Sequence, residues 1–339
     1  MKKSSNLVGA ALTVILTALI GLTSTSTLTA QVITSPVVSY LFENEELQIY
    51  MSGSQQSHNP KSIVAKVEFT LGDKLIEPVV EKLPVPDLGF DENHIDAVSI
   101  RDLYITPNGQ IRMLTGTFKP KILSFDGKVW TTLIEAIEGW GLENNGSAGG
   151  FAVSGDGSLF LPGMWIVGSR TGIYKSSPDG KNFTLFEKEA YWPMDFCSSG
   201  GHIYAVENHQ QSNKVTLFDE KTGALTREVM LPVADHRAVA VAKDGSMFIA
   251  DFSGLITHIS RNGKVIAQTI IKADRYDDGD LSPISLNDID LSPDGQYLAI
   301  GSSDGYVGVL PVDLKSFHLL RFGPYTYNTF VAWPPGKNK

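Results

Sequence analysis

Residues 238–271 read AVAVAKDGSMFIADFSGLITHISRNGKVIAQTII. Four short runs stand out, AVAVA, MFIAD, ITHIS and VIAQTII, rich in the β-branched and aromatic residues that suit a pleated strand. The first pair is separated by Lys243-Asp244-Gly245 and the second by Asn262-Gly263, residues that supply tight-turn conformations. The stretch therefore predicts strand, turn, strand, connection, strand, turn, strand. A four-stranded antiparallel sheet of this kind cannot bury both faces by itself and needs neighbours stacked against it.

The same unit recurs along the chain. Turns of one type appear at Pro107-Asn108-Gly109, Gly155-Asp156-Gly157, Ser199-Gly200-Gly201, Lys243-Asp244-Gly245 and Pro293-Asp294-Gly295. Their glycines Gly109, Gly157, Gly200, Gly245 and Gly295 are 48, 43, 45 and 50 residues apart, the spacing of propeller blades. A second turn, at Asp126-Gly127, Asp179-Gly180, Thr222-Gly223 and Asn262-Gly263, follows the first by 18 to 23 residues, room for two strands. No segment carries a long 3.6-residue period, so no major helix is expected. The fold class predicted is all-β: a single β-propeller of six four-stranded blades, stacked radially.

Five units begin near Ala97, Phe151, Met194, Ala238 and Asp288. The sixth is assembled from both ends of the chain. Val64 to Val80 reads as an outer hairpin around Gly72-Asp73, and Phe330-Val331-Ala332-Trp333 repeats the innermost-strand pattern, so both termini close the ring in one blade. Val37 to Met51 is a second candidate for that inner strand. Glu135 to Ser147 and the acidic stretch Lys272 to Ser285 read as insertions between blades. The propeller is expected to span residues 37–335.

Residues 1–30 stand apart. Lys2 and Lys3 precede an uncharged, mostly apolar run from Leu7 to Leu22, and small residues lead to Ala30, the layout of a secretory signal peptide. Sixteen residues fall short of the roughly 20 that cross a bilayer. Export to the periplasm or the extracellular space is the expectation, with no membrane association after cleavage. The net charge is −9, and becomes −11 without the two leading lysines. Phosphate backbones require clustered Lys and Arg, which the sequence lacks, so nucleic acid is excluded as a partner. Cys197 is the only cysteine, so no internal disulfide forms.

From about His236 to Asp313 the chain resembles known propeller repeats. Arg237-Ala238-Val239-Ala240-Val241-Ala242-Lys243-Asp244-Gly245 through Ile249-Ala250-Asp251 is similar to an NHL repeat. Ser292-Pro293-Asp294-Gly295 with Gly301-Ser302-Ser303-Asp304-Gly305 is similar to a WD40 blade. The first segment also resembles the six-bladed SMP-30/gluconolactonase family. That resemblance implies a divalent cation on the central axis, held by one Glu, one Asn and one Asp, the last two each eight residues before a turn glycine. Counting back eight gives Arg101, Gly149, Trp192, Arg237 and Asn287, with Asn328 from the C-terminal strand. Asn287 matches the family's Asn, whereas Asn328 stands where its Asp belongs, and no Glu can be placed. A calcium-type site wants several anionic oxygens, and two arginines stand in this ring instead.

Blades two and five face each other across a six-bladed ring, so Arg101 and Arg237 would share the central channel with Asn287 and Asn328 between them. Guanidinium forks bind carboxylate or phosphate bidentately, which makes this a candidate site for an anionic ligand. Asp102, Trp192, Asp195, His236 and Asp288 complete the ligand-binding set. The competing reading is structural, with Arg101 and Arg237 paired to Asp102, Asp288 or Asp235.

Other motifs carry less. Asp274, Asp277, Asp278 and Asp280 surround Gly279 without EF-hand spacing, and read as a solvated acidic loop. Gly301-Ser302-Ser303-Asp304-Gly305 fits G-x-S-x-G, but that motif needs a strand-to-helix elbow. No histidine pair has metal-ligand spacing. No catalytic residue and no metal ligand is therefore assigned. The sequence leads to an exported non-catalytic propeller that binds a small anionic ligand or a partner protein. The alternative is a lactonase-like hydrolase with a divalent cation.

Overall fold

The computed structural model describes residues 31–34, 45–55, 62–71, 77–86, 99–106, 108–116, 121–134, 150–162, 171–180, 182–191, 193–209, 212–231, 235–276, 278–323 and 327–334. The leading segment 1–30, the insertion at 135–147 and Trp192 lie outside them. The described residues form strands and turns, with no helix among them, and hence none long and apolar enough to cross a membrane.

Six antiparallel sheets make the ring. Blade two consists of β5 (Ser99–Ile105), β6 (Ile111–Gly116), β7 (Ile122–Phe125) and β8 (Trp130–Ile134). Blade three runs from β9 (Ala152–Val153) to β12 (Phe183–Tyr191), blade four from β13 (Pro193–Ser199) to β16 (Leu225–Met230), and blade five from β17 (His236–Val241) to β20 (Val265–Ile270). Blade six holds β23 (Leu286–Leu291), β24 (Tyr297–Ser302), β25 (Tyr306–Pro311) and β26 (His318–Arg321). Blade one is closed by both ends of the chain: β27 (Tyr327–Ala332) is innermost and pairs with β2 (Glu45–Gln55), followed by β3 (Ser62–Leu71) and β4 (Val79–Leu83). Of the second inner-strand candidate, Val37 to Met51, residues 45–51 belong to β2, and residues 37–44 lie outside the described residues.

Side chains alternate across a strand, and here that alternation serves two blade junctions at once. Ala238 and Ala240 pack toward Ile289, Leu298 and Tyr306 of blade six. Val239 and Val241 pack toward Tyr204, Val206 and Leu217 of blade four. The described apolar core divides into six such clusters, one at each junction, including Ile49, Met51 and Val331 against Ala299 and Val307 at the closure. Each fully buried aliphatic side chain contributes about 1.5–3 kcal/mol, so stability is spread around the ring. The turn residues behave as their chemistry demands. Ser154 and Ser292 donate to Asp156 and Asp294, whose carboxylates also accept the N–H groups of Ser158 and Gln296.

Two features depart from a plain six-by-four ring. Gln31–Thr34 (β1) adds a fifth strand to the outer edge of blade six by pairing with β26. Residues 272–283, expected as a solvated loop, form a hairpin of β21 (Lys272–Asp274) and β22 (Leu281–Pro283). Long-range bonds hold its base: Arg275 donates to Asp304 and Ser285, and the Tyr306 hydroxyl donates to the Asp274 carbonyl. At its tip the Asp274 carboxylate accepts the N–H groups of Asp278 and Gly279.

Candidate functional site at the channel mouth

Four of the six innermost strands break register where they enter the channel, whereas β9 and β27 pair without a skip. Pairing skips one residue at Arg101 in β5, Met194 in β13, Arg237 in β17 and Asn287 in β23. A bulge of this kind re-aims a side chain, which places Arg101, Arg237 and Asn287 at equivalent points of three blades. Blade four breaks the count of eight. Its inner turn is only Gly200-Gly201, between the paired Ser199 and His202, so the equivalent residue is Met194, not Trp192. Met194 is buried in the junction with blade five.

Arg237 is engaged locally. Its Nη2 lies 3.1 Å from Asp235 Oδ1, and its guanidinium stacks on Phe252 with 4.6 Å to the ring centroid. Asp235 reaches it from a left-handed backbone, φ 76°, which Asp tolerates better than most residues. The structural partner anticipated for Arg237 is therefore present, while its side chain keeps about a fifth of its surface exposed. Arg101 is half-buried. Asn287 donates to Asn328 Oδ1 at 3.1 Å and accepts from Ser303 at 2.9 Å, so these two expected neighbours meet. His236 is buried beside Asp251, with Nδ1 3.8 Å from Oδ2.

One residue past the bulge in blades two, four and six stands an aspartate. Phe151 N–H of blade three donates to Asp102 at 2.7 Å, Val239 N–H of blade five to Asp195 at 2.9 Å, and Val331 N–H of blade one to Asp288 at 2.7 Å. Each carboxylate thus latches its blade to the innermost strand of the next. By the same bond Val331 corresponds to Val239, and because β27 pairs without a skip, Thr329 takes the place of His236 and no residue of that strand, Asn328 included, stands where Arg237 does.

The three carboxylates also feel one another. Burial raises Asp102 well above the usual range, reinforced by the charges of Asp288 and Asp195. Burial and the Asp288 charge do the same to Asp195. Burial pushes Asp288 up to about 7, although the Val331 N–H opposes it.

A deeper layer escaped the sequence reading. Two residues along the same strands lie Tyr104, Cys197 and Asp290. Burial pushes Asp290 up to about 6 against the pull of the Trp333 N–H, which donates at 2.9 Å. Burial, then the charges of Asp290 and Asp195, push the Cys197 thiol up to about 12, far from a reactive thiolate. The readable signal was the alternation of the strand, which puts residues i and i+2 on one side. Among the described residues no group of three or more His, Cys, Asp or Glu is arranged to hold a metal ion. Ser303, the would-be nucleophile of the G-x-S-x-G match, donates its hydroxyl to Asn287 Oδ1 at 2.9 Å and its N–H to the Ser285 carbonyl, while its neighbour Ser302 accepts the N–H groups of Asp304 and Tyr306 and shapes a blade turn.

No protein-family model matches the chain, and no curated protein matches it in sequence. Solved structures do match in shape. TolB from Acinetobacter baumannii superposes with a TM-score of 0.56 at 13% identity, covering 86% of this chain and 67% of that one. A chain of a nidogen/laminin complex superposes with a TM-score of 0.58 at 12% identity, covering 84% of this chain and 97% of its own. At such identities the likeness concerns architecture. The chain belongs to the class of six-bladed β-propellers.

Proposed function

We propose that this chain is an exported, non-catalytic β-propeller that binds a small anionic ligand or a partner protein at the mouth carrying Arg101, Arg237, Asn287 and Asn328. One observation carries the reading. Asp102, Asp195 and Asp288, the acids one residue past the bulges, each already accept a main-chain N–H of the next blade. Three of the four bulge positions carry guanidinium or amide donors, Arg101, Arg237 and Asn287, which suit a carboxylate or phosphate; the fourth is the buried Met194. The nidogen/laminin chain, a neighbour in fold, is itself part of a protein complex, in keeping with a propeller face as a docking platform.

The lactonase-like alternative rests on Asn287, whose amide is occupied at both ends by Ser303 and Asn328. Thermal-shift screening with carboxylates and phosphate esters tests the anion reading on the wild type and on the double variant Arg101→Ala/Arg237→Ala. Stabilisation of the wild type alone is expected, and identical responses from both proteins overturn it. Native mass spectrometry with elemental analysis separates the alternative: a stoichiometric divalent metal would turn the search to lactone and ester substrates.

A further inference from the structure

Gly150, just before β9 in blade three, stands between two of the channel aspartates. A Cβ built there would overlap Asp195 Oδ1 and Asp102 Oδ2, so the two carboxylates converge on the space a side chain would fill. Neither can swing away cheaply. Asp102 is held by Phe151 N–H and, at 2.6 Å, by Leu103 N–H; Asp195 is held by Val239 N–H. Gly150 itself is fixed by its N–H to the Met194 carbonyl at 3.0 Å. Four blades are tied together at this point: two and three through Asp102, three and four through Gly150, four and five through Asp195.

Two ionised carboxylates this close in a buried site repel strongly, and one proton shared between them removes the conflict. We propose that Asp102 and Asp195 form a proton-binding pair across Gly150, which holds one proton near neutral pH and makes the ring's closure proton-linked. The charged groups facing the pair add to this demand. Asp288 acts on both members and Asp290 on Asp195, all negative. Tyr104 and Cys197, two residues along the pair's own strands, are both held in their neutral forms by burial. Arg237, two residues before the Val239 N–H that holds Asp195, is drawn to Asp235 and Phe252. Burial raises both pair members, in line with the geometry. Loss of the shared proton at higher pH sets blades two and four against each other beside the mouth that carries Arg101 and Arg237.

The sign follows from linkage. A carboxyl that binds its proton more tightly folded than unfolded stabilises the fold in mild acid, and that stabilisation is lost as pH rises through its folded value. Two measurements test the pair. Infrared spectra of the wild type at neutral pH should show the carbonyl stretch of a protonated carboxyl group. The melting temperature should fall by several degrees between about pH 5.5 and pH 8.5. Asp102→Asn and Asp195→Asn should each weaken the band and make the slope shallower, down to the share of Asp288 and Asp290, while Asp219→Asn, on an exposed turn of blade four, should leave both. A wild type without the band, or with a flat or rising profile, overturns the proposal. So does a band undiminished in both Asn variants, since the protons would then reside on Asp288 or Asp290 alone. The spectrum of the wild type decides even where a variant does not fold, and no arm of the test depends on a ligand.

Discussion

Blades two, four and six differ from blades three, five and one in the charge of one residue of the innermost strand. The even blades carry Asp102, Asp195 and Asp288, at equal intervals of 93 residues. At the matching point the odd blades carry Gly150, Ala238 and Phe330, the residues just before the N–H groups that receive the carboxylates. At this point the ring repeats by pairs of blades as well as by single ones. An acid on every blade would put six charges around a narrow axis, whereas acids on alternate blades give each one a neutral neighbour whose main chain it can hold. Where the neutral neighbour is Gly150, the absence of a side chain also lets blades three and four bond backbone to backbone. The three buried carboxylates are thus each given a main-chain donor by the repeat itself.

The sharpest way to break this pattern is to put an acid on an odd blade. Ala238 is fully buried, packed against Ile289 and Leu298. Ala238→Asp adds a fourth carboxylate with no main-chain partner arranged for it, and a loss of about 4 kcal/mol is expected from an unpaired buried charge. Urea unfolding measures it, and a cost under about 1 kcal/mol would mean the odd positions are not selected for neutrality. The converse change removes a latch. Asp288→Ala strands the N–H of Val331 on the closing strand, with an expected loss of about 2–3 kcal/mol. Asp288→Asn keeps an acceptor and should cost less, most visibly above pH 7, where the wild-type carboxylate is charged.

Acidity offers a milder perturbation of the same ring. Asp288 and Asp290 have folded values near 7 and 6, against about 4 for an unfolded chain. The folded state therefore holds extra protons from about pH 4 up to 7, and stability declines as pH rises through that window. Asp156 runs the other way. Its bonds to Ser154 and Ser158 lower it to about 2, so its contribution is kept above pH 4 and lost only as pH falls toward 2. Chemical denaturation at pH 5, 6, 7 and 8 should give falling stability. A rise over that range would show that the axis carboxylates are better solvated than their burial implies.

Much of the ring was legible because its cues are local. A turn glycine with its Asp or Asn, followed by a second turn about twenty residues on, needs only neighbouring residues to act, so blade count and ring closure could be read directly. The axis was half legible. Asp102, Asp195 and Asp288 were singled out by position, yet their partner N–H groups lie 43 to 49 residues away, and no local pattern marks a main-chain donor. Met194 was missed because one shortened turn shifts the count by two. The hairpin at 272–283 was missed because Arg275, Asp304 and Tyr306 fix it from far along the chain. The strand Gln31–Thr34 has no turn punctuation around it, and only its pairing with β26 reveals it.

The smallest expected effect is the one that should ignore the difference between odd and even blades. Gly109 in blade two has φ 82° with nothing within 4 Å of an added Cβ, and Gly245 in blade five has φ 81° with only the flexible side chain of Arg261 beside it. Both stand in the same turn between the first and second strands, where an L residue is strained by its own backbone rather than by neighbours. Gly109→Ala and Gly245→Ala should each cost about 1 kcal/mol, the same within error, as read from denaturation midpoints at unchanged slope. Equal costs would confine the two-blade period to the axis. A clearly larger cost at Gly109 would carry the asymmetry out to the turns, because the strand that Gly109 closes is the one that sets Asp102 against Phe151.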